Sequence, residues 1–187
     1  MNALYKWRGF ILGTMGLALV LFPATPLEPR AGKIVVAMAA TLLLAGILLR
    51  GLARMSIGEH TRGSVHDAPD LVTTGMYSLV RHPLYLSNTL IACAAILFHL
   101  GFSWVAIPFV TAILLLEFIL AKTEDRFLKR RFGDRWNNWA GETWAFLPNP
   151  FHFKPSKVYR SFFSAIRADA STWIWIIFVV FVLCLIR

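Results

Sequence analysis

The chain has 187 residues, the length of one domain, with 57% hydrophobic residues, 16% charged residues and a mean hydropathy of +0.61. A water-soluble globule does not carry that balance, so the sequence reads as an integral membrane protein. Its formal charge of +9 does not signal nucleic acid, because the basic residues are spread beside apolar runs rather than gathered in a recognised nucleic-acid module; anionic lipid headgroups are the expected partner.

The expected fold class is all-α: a polytopic membrane bundle of about five transmembrane helices forming one domain over residues 1–187. The first apolar segment, residues 9–22, follows Lys6 and Arg8. A signal peptide with cleavage near Ala24 is its alternative reading, but removing it would undo the charge-consistent topology described below. The second segment is 34–49. A polar loop over 54–82 follows, punctuated by Gly58, Gly63, Pro69 and Gly75. Its His60, His66, Asp67 and Asp70 fit no familiar helical or zinc spacing, so no metal is expected there.

The loop ends in the most informative stretch of the chain, residues 75–88, reading Gly-Met-Tyr-Ser-Leu-Val-Arg-His-Pro-Leu-Tyr-Leu-Ser-Asn. Pro83 suits the first turn of a helix, which puts Arg81 and His82 at the mouth of the third apolar segment, 84–102. Unpaired backbone N–H groups and two basic side chains there should attract a carboxylate or phosphate. Tyr85 and Asn88, three residues apart, share a face on which a ring and an amide could meet one ligand. The competing reading makes Arg81 and His82 headgroup anchors of a membrane helix.

The fourth apolar segment, 104–121, contains Glu117, a carboxylate inside a span and so either functional or bonded to a neighbouring helix near the interface. Nothing breaks a helix from Ala112 to Phe132, so this span should project into the cytoplasm until Gly133 stops it, with Glu117 and Glu124 on one face. Glu124 and Asp125 lie where the helix leaves the bilayer, among Lys122, Arg126, Lys129, Arg130 and Arg131; alone they would read as surface salt bridges. The second polar segment, 122–170, leads to a last transmembrane helix within 171–187, its apolar run at 172–186 opened by Trp173 and Trp175. Cys93 and Cys184 lie inside spans and read as packing residues.

Two of the 19 Lys and Arg precede the first span, four follow the second and ten fall between Lys122 and Arg167. Only Arg30, Lys33 and Arg187 remain for the other side, so both polar segments are expected to be cytoplasmic and the carboxyl terminus outside.

Residues 70–85 together with Glu124-Asp-Arg-Phe-Leu-Lys-Arg-Arg-Phe-Gly-Asp-Arg-Trp resemble the isoprenylcysteine carboxyl methyltransferase and phospholipid methyltransferase group of integral membrane enzymes, over roughly residues 34–148. The resemblance implies S-adenosylmethionine as cofactor, with His82, Pro83 and Tyr85 in its pocket beside the first carboxylate of the acidic pair, Glu124. The chain departs from the family pattern at Ser87, where glycine is usual, at Asp125 in place of a second glutamate, and at Trp136 and Trp139, where tyrosines are common. The serine is expected to narrow the room beside the cofactor.

The residue chemistry suits that cofactor, which presents a carboxylate, an ammonium, a sulfonium and a flat adenine. His82 or Arg81 would take the carboxylate, Glu124 the ammonium or ribose, and Tyr77, Tyr85, Trp136 or Trp139 would cover adenine or the sulfonium. Arg81 would hold an anionic acceptor, whereas an amine acceptor would lose its proton to Glu124 or Asp125. The acceptor expected from the topology is a membrane lipid or lipidated molecule. Two rivals stand beside this reading. One is a nicotinamide-dependent membrane reductase of the sterol or steroid type, which shares an Arg-His-Pro region but has an asparagine where this chain has Leu84. The other is a non-catalytic membrane scaffold.

Overall fold

The computed structural model describes residues 3–26, 29–57, 70–156 and 161–187. Among them are eight α-helices and no strand: α1 (Ala3–Leu21), α2 (Pro29–Ile57), α3 (Met76–Leu79), α4 (Pro83–Leu100), α5 (Ala106–Phe132), α6 (Asp134–Glu142), α7 (Phe162–Ala168) and α8 (Ala170–Ile186), with a 3-10 turn at Pro150–His152. The all-helical membrane bundle expected from composition is what forms. His60, His66 and Asp67 lie outside the described residues.

Three helices are long and apolar enough to cross a membrane: Arg30–Ile57, Pro83–Leu100 and Ala106–Phe132. Helices α7 and α8 make a fourth if counted as one span, bent by 77° at a break beside Asp169. The apolar part of α1, Trp7–Leu21, is shorter and reaches only roughly 22 Å along its axis. Three to four of the five expected crossings therefore have spanning length.

Local chemistry sets the boundaries that matter for the site. Pro83 occupies the first turn of α4 behind His82, as its fixed φ and missing N–H favour. Helix α5 runs unbroken through the acidic pair to Phe132 and stops at Gly133, whose φ of 52° lies in the left-handed region and whose N–H donates to the Lys129 carbonyl. Helix α2 continues eight residues beyond its expected span and carries Arg50 and Arg54 to the same end of the bundle.

The bundle packs around α2 and α4. At Gly46 the two come so close that an added Cβ would stand 2.7 Å from Ile91 Cγ1, and the Ser87 hydroxyl donates to the Gly46 carbonyl at 2.8 Å. Ser87 therefore fills a helix contact on α2. Leu19, Ile96, Leu100, Ile113 and Leu183 join α1, α4, α5 and α8 in an apolar core. An apolar cavity of about 520 Å³ lies between α1, α2, α4 and α8, with Asn88, Ser171 and Thr172 on its wall.

At the end of the bundle where α4 begins, residues 144–154 form a strap along residues 75–82. The N–H groups of Arg81 and His82 donate to the Trp144 and Ala145 carbonyls at 2.8 and 3.1 Å; those of Asn149 and Gly75 donate to the Leu79 and Lys154 carbonyls at 2.7 and 2.8 Å. Gly75 permits this path: its φ is 62°, and a Cβ there would lie 2.4 Å from Ser56 Oγ.

Candidate active site

Asp125 is the centre of the charged cluster at the start of α4. One of its carboxylate oxygens accepts from His82 Nε2 at 3.1 Å and the other from Arg81 Nη1 at 3.5 Å. His82 is buried, and its ring lies between Tyr85 and Phe146, with centroids 5.6 and 5.8 Å away. The Arg81 guanidinium sits over Trp136 at 5.5 Å, and the Lys129 ammonium approaches that ring at 5.6 Å. Arg81, Asp125, Lys129 and Trp136 border a cavity of about 510 Å³ whose wall also includes Lys122 and the strap residues Ala145 and Phe146. Two buried N–H donors on that wall, Arg81 Nε and Trp136 Nε1, have no hydrogen-bond partner.

A second polar cluster lies deeper. Buried Arg50 donates through Nε to Asp169, through Nη1 to Asn88 Oδ1 at 2.6 Å and through Nη2 to Thr172 Oγ1 at 3.1 Å. Arg54 Nη2 donates to the other Asp169 oxygen at 2.8 Å, and Asn88 Nδ2 donates to Glu117 Oε1 at 3.1 Å. Glu117 is 1% exposed and its second oxygen is unpaired. Of its two sequence readings, the hydrogen bond to a neighbouring helix is realised. The Tyr77 hydroxyl is enclosed beside this cluster, and burial foremost, then the Glu124 charge, raise its pKa, against the lowering pull of Arg54 and Arg50.

Arg81, His82, Tyr85, Asp125 and Trp136 thus come together, with Pro83 setting the helix start that carries them. The hydrogen-bond partner of His82 is Asp125, while the neighbouring Glu124 exerts its charge on Tyr77. Asn88 is held between Arg50 and Glu117, while Tyr85 packs on Leu116, Leu120 and Ala121. Trp139 is a structural pin whose indole N–H donates to the Tyr77 carbonyl at 2.9 Å. The N–H groups of Arg81 and His82, just before the first turn of α4, are taken by the strap.

Sequence reasoning missed Arg50, Asp169 and Phe146. Arg50 and Asp169 are ionisable residues at the ends of apolar runs, which is a usable signal. Phe146 carried none, since only the return of the strap brings it to His82. Among the described residues, no three His, Cys, Asp or Glu are placed to hold a metal ion.

Residues 34–135, more than half of the chain and including the first motif and all of the second but its final Trp136, match the phospholipid methyltransferase family. The chain belongs to that family. Two relatives have other names. The cobalt-zinc-cadmium resistance protein CzcN of Cupriavidus metallidurans is 30% identical over 176 residues, covering 90% of this chain and 74% of that protein. The nickel-cobalt-cadmium resistance protein NccN of Alcaligenes xylosoxydans xylosoxydans is 28% identical over 140 residues, covering 72% of this chain and 62% of that protein. No solved structure matches the chain. The family match ends one residue before Trp136, so the strap and the last two helices lie beyond it.

Proposed function

We propose that the protein is an S-adenosylmethionine-dependent methyltransferase acting on a lipid or lipidated acceptor at the cytoplasmic face of the membrane. The observation that carries this reading is the Asp125 cluster, in which a carboxylate held by His82 and Arg81 borders a cavity with two unpartnered N–H donors. The donor set suits the cofactor: Arg81 Nε and Trp136 Nε1 can serve its carboxylate or adenine acceptors, Asp125 its ammonium or ribose, and the Trp136 and Phe146 rings its adenine or sulfonium.

When bound, the cofactor supplies a methyl group on a sulfonium, an electrophile with a good leaving group. The protein's part is alignment and exclusion of water, which in favourable cases lowers a barrier by roughly 7–11 kcal/mol. Trp136 and Phe146 would screen the cavity, while Arg81 and Lys122 would hold an anionic oxygen there. An oxygen anion needs no base; an amine gives its proton to Asp125 or Glu124.

Binding of S-adenosylhomocysteine, the demethylated product, and of NADPH to the detergent-solubilised protein tests the assignment. The product should bind, and Asp125→Asn should weaken it about tenfold or more, equivalent to about 1.4 kcal/mol; Glu124→Gln should do less. Selective NADPH binding would establish the reductase, and binding of neither would leave the scaffold. Membranes incubated with methyl-labelled donor should yield a labelled lipid.

The relatives' names favour a setting of metal stress for this chemistry. Loss of the gene should lower survival in cobalt, zinc or cadmium, and unchanged survival removes that setting.

A further inference from the structure

The strap has two sides of opposite character. Asn149 is buried, and Phe146 turns to His82. On the other side Trp144, Leu147, Phe151 and Phe153 are exposed, Leu147 by 68% and Phe151 by 92%. Four large apolar side chains within ten residues is more than scattered surface hydrophobicity.

Helix length places this side at a definite depth. Helix α4 has 18 residues, about 27 Å along its axis, while the hydrocarbon core is about 30 Å thick. It can cross only by using its whole length, so Pro83 must lie at the edge of the core and Arg81 and His82 among the headgroups. The strap is bonded backbone to backbone to those two residues, which fixes Trp144 and Ala145 at the same level. It is also continuous with the lipid-facing surface: Ala145 and Phe146 share the wall of the charged cavity with Phe118, an exposed residue of α5 within its spanning helix.

We infer that the strap is a bilayer-docking surface, its outer side chains Trp144, Leu147, Phe151 and Phe153 seated in the lipid headgroup region beside the mouth of the charged cavity. Aromatic rings favour this zone because it accepts an apolar face and a polar edge together. Lys122 and Arg126 on the cavity wall add attraction for anionic headgroups. The strap would then form one jamb of a lateral entrance and the Phe118 face of α5 the other. This seat does not depend on which cofactor the cavity takes.

The test uses the full chain, with Cys93 and Cys184 replaced by serine, in lipid nanodiscs. Nitroxide labels on Leu147→Cys and Phe151→Cys should collide more with oxygen than with a water-soluble nickel chelate. A label on Arg130→Cys, further along the projecting part of α5, should show the reverse. Water-type collision profiles at 147 and 151, or labels there immobilised and shielded from both relaxers as in a protein contact, would overturn the inference. As an independent check, lipids brominated near the headgroup should quench the wild type more than Trp144→Phe; equal fractional quenching would count against it.

Discussion

Tyr77 is a weak acid held in its neutral form. Its folded-state pKa lies above the ordinary value of about 10, chiefly through burial and then through Glu124. Stabilisation tied to that neutral hydroxyl is complete below pH 10 and is lost as the pH rises above it. An ultraviolet difference titration should find one phenol that ionises only as the protein unfolds, and Tyr77→Phe should remove that late step. Its persistence would mean another tyrosine is responsible. Tyr77 also shows what the sequence conceals at this scale. The motif exposed Arg81, His82 and Asp125 by residue type and spacing, but it could not show that the Tyr77 hydroxyl is buried within reach of the Glu124 charge and the two arginines of α2. Adjacent carboxylates at 124 and 125 lie about 100° apart on a helix, so they serve different neighbours, and no residue count decides which neighbour is where.

At the scale of elements, the start of α4, the projection of α5 and the stop at Gly133 follow from proline chemistry, unbroken helix formers and a glycine, and all were legible. The strap was not, because its pairing with residues 75–82 is a long-range backbone match with no periodic signal. Gly75 is the hinge of that pairing. Gly75→Ala must bear both a left-handed backbone, about 1–2 kcal/mol, and a collision with Ser56, whereas Gly133→Ala has a similar φ and nothing within 4 Å of the added carbon. Thermal unfolding in detergent should show a clearly larger loss for Gly75→Ala, and equal losses would mean the strap does not bind this tightly. The join between α2 and the α7–α8 break makes a second case. Truncating Arg50 or Asp169 to alanine leaves a buried charge without its main partner, at a cost of about 3–5 kcal/mol. The double replacement should cost markedly less than the sum of the two, as read from a double-mutant cycle of melting free energies.

For the whole molecule, hydropathy marked the apolar segments but not how each meets the bilayer. The 77° turn beside Asp169 shows why: composition registers α7 and α8 as apolar length and is blind to direction. The distribution of Lys and Arg favours a full crossing by the last helix. A thiol-reactive, membrane-impermeant label should therefore reach Arg187→Cys from the side opposite to Arg130→Cys in intact cells, and labelling of both from one side would make the last helix re-entrant. The charge pattern favours this outcome because it leaves Arg187 apart from the basic segments.

The contact at Gly46 bears on how such a bundle can breathe. With Ile91 pressed against a position that has no side chain, and the Ser87 hydroxyl fastened to the Gly46 carbonyl, α2 and α4 cannot slide or part without breaking tight packing and a buried bond. They form a keel. Any widening of the apolar cavity must then come from α1 and from the part of α8 beyond Thr172, since the start of α8 is itself tied to α2 through Asp169 and Thr172.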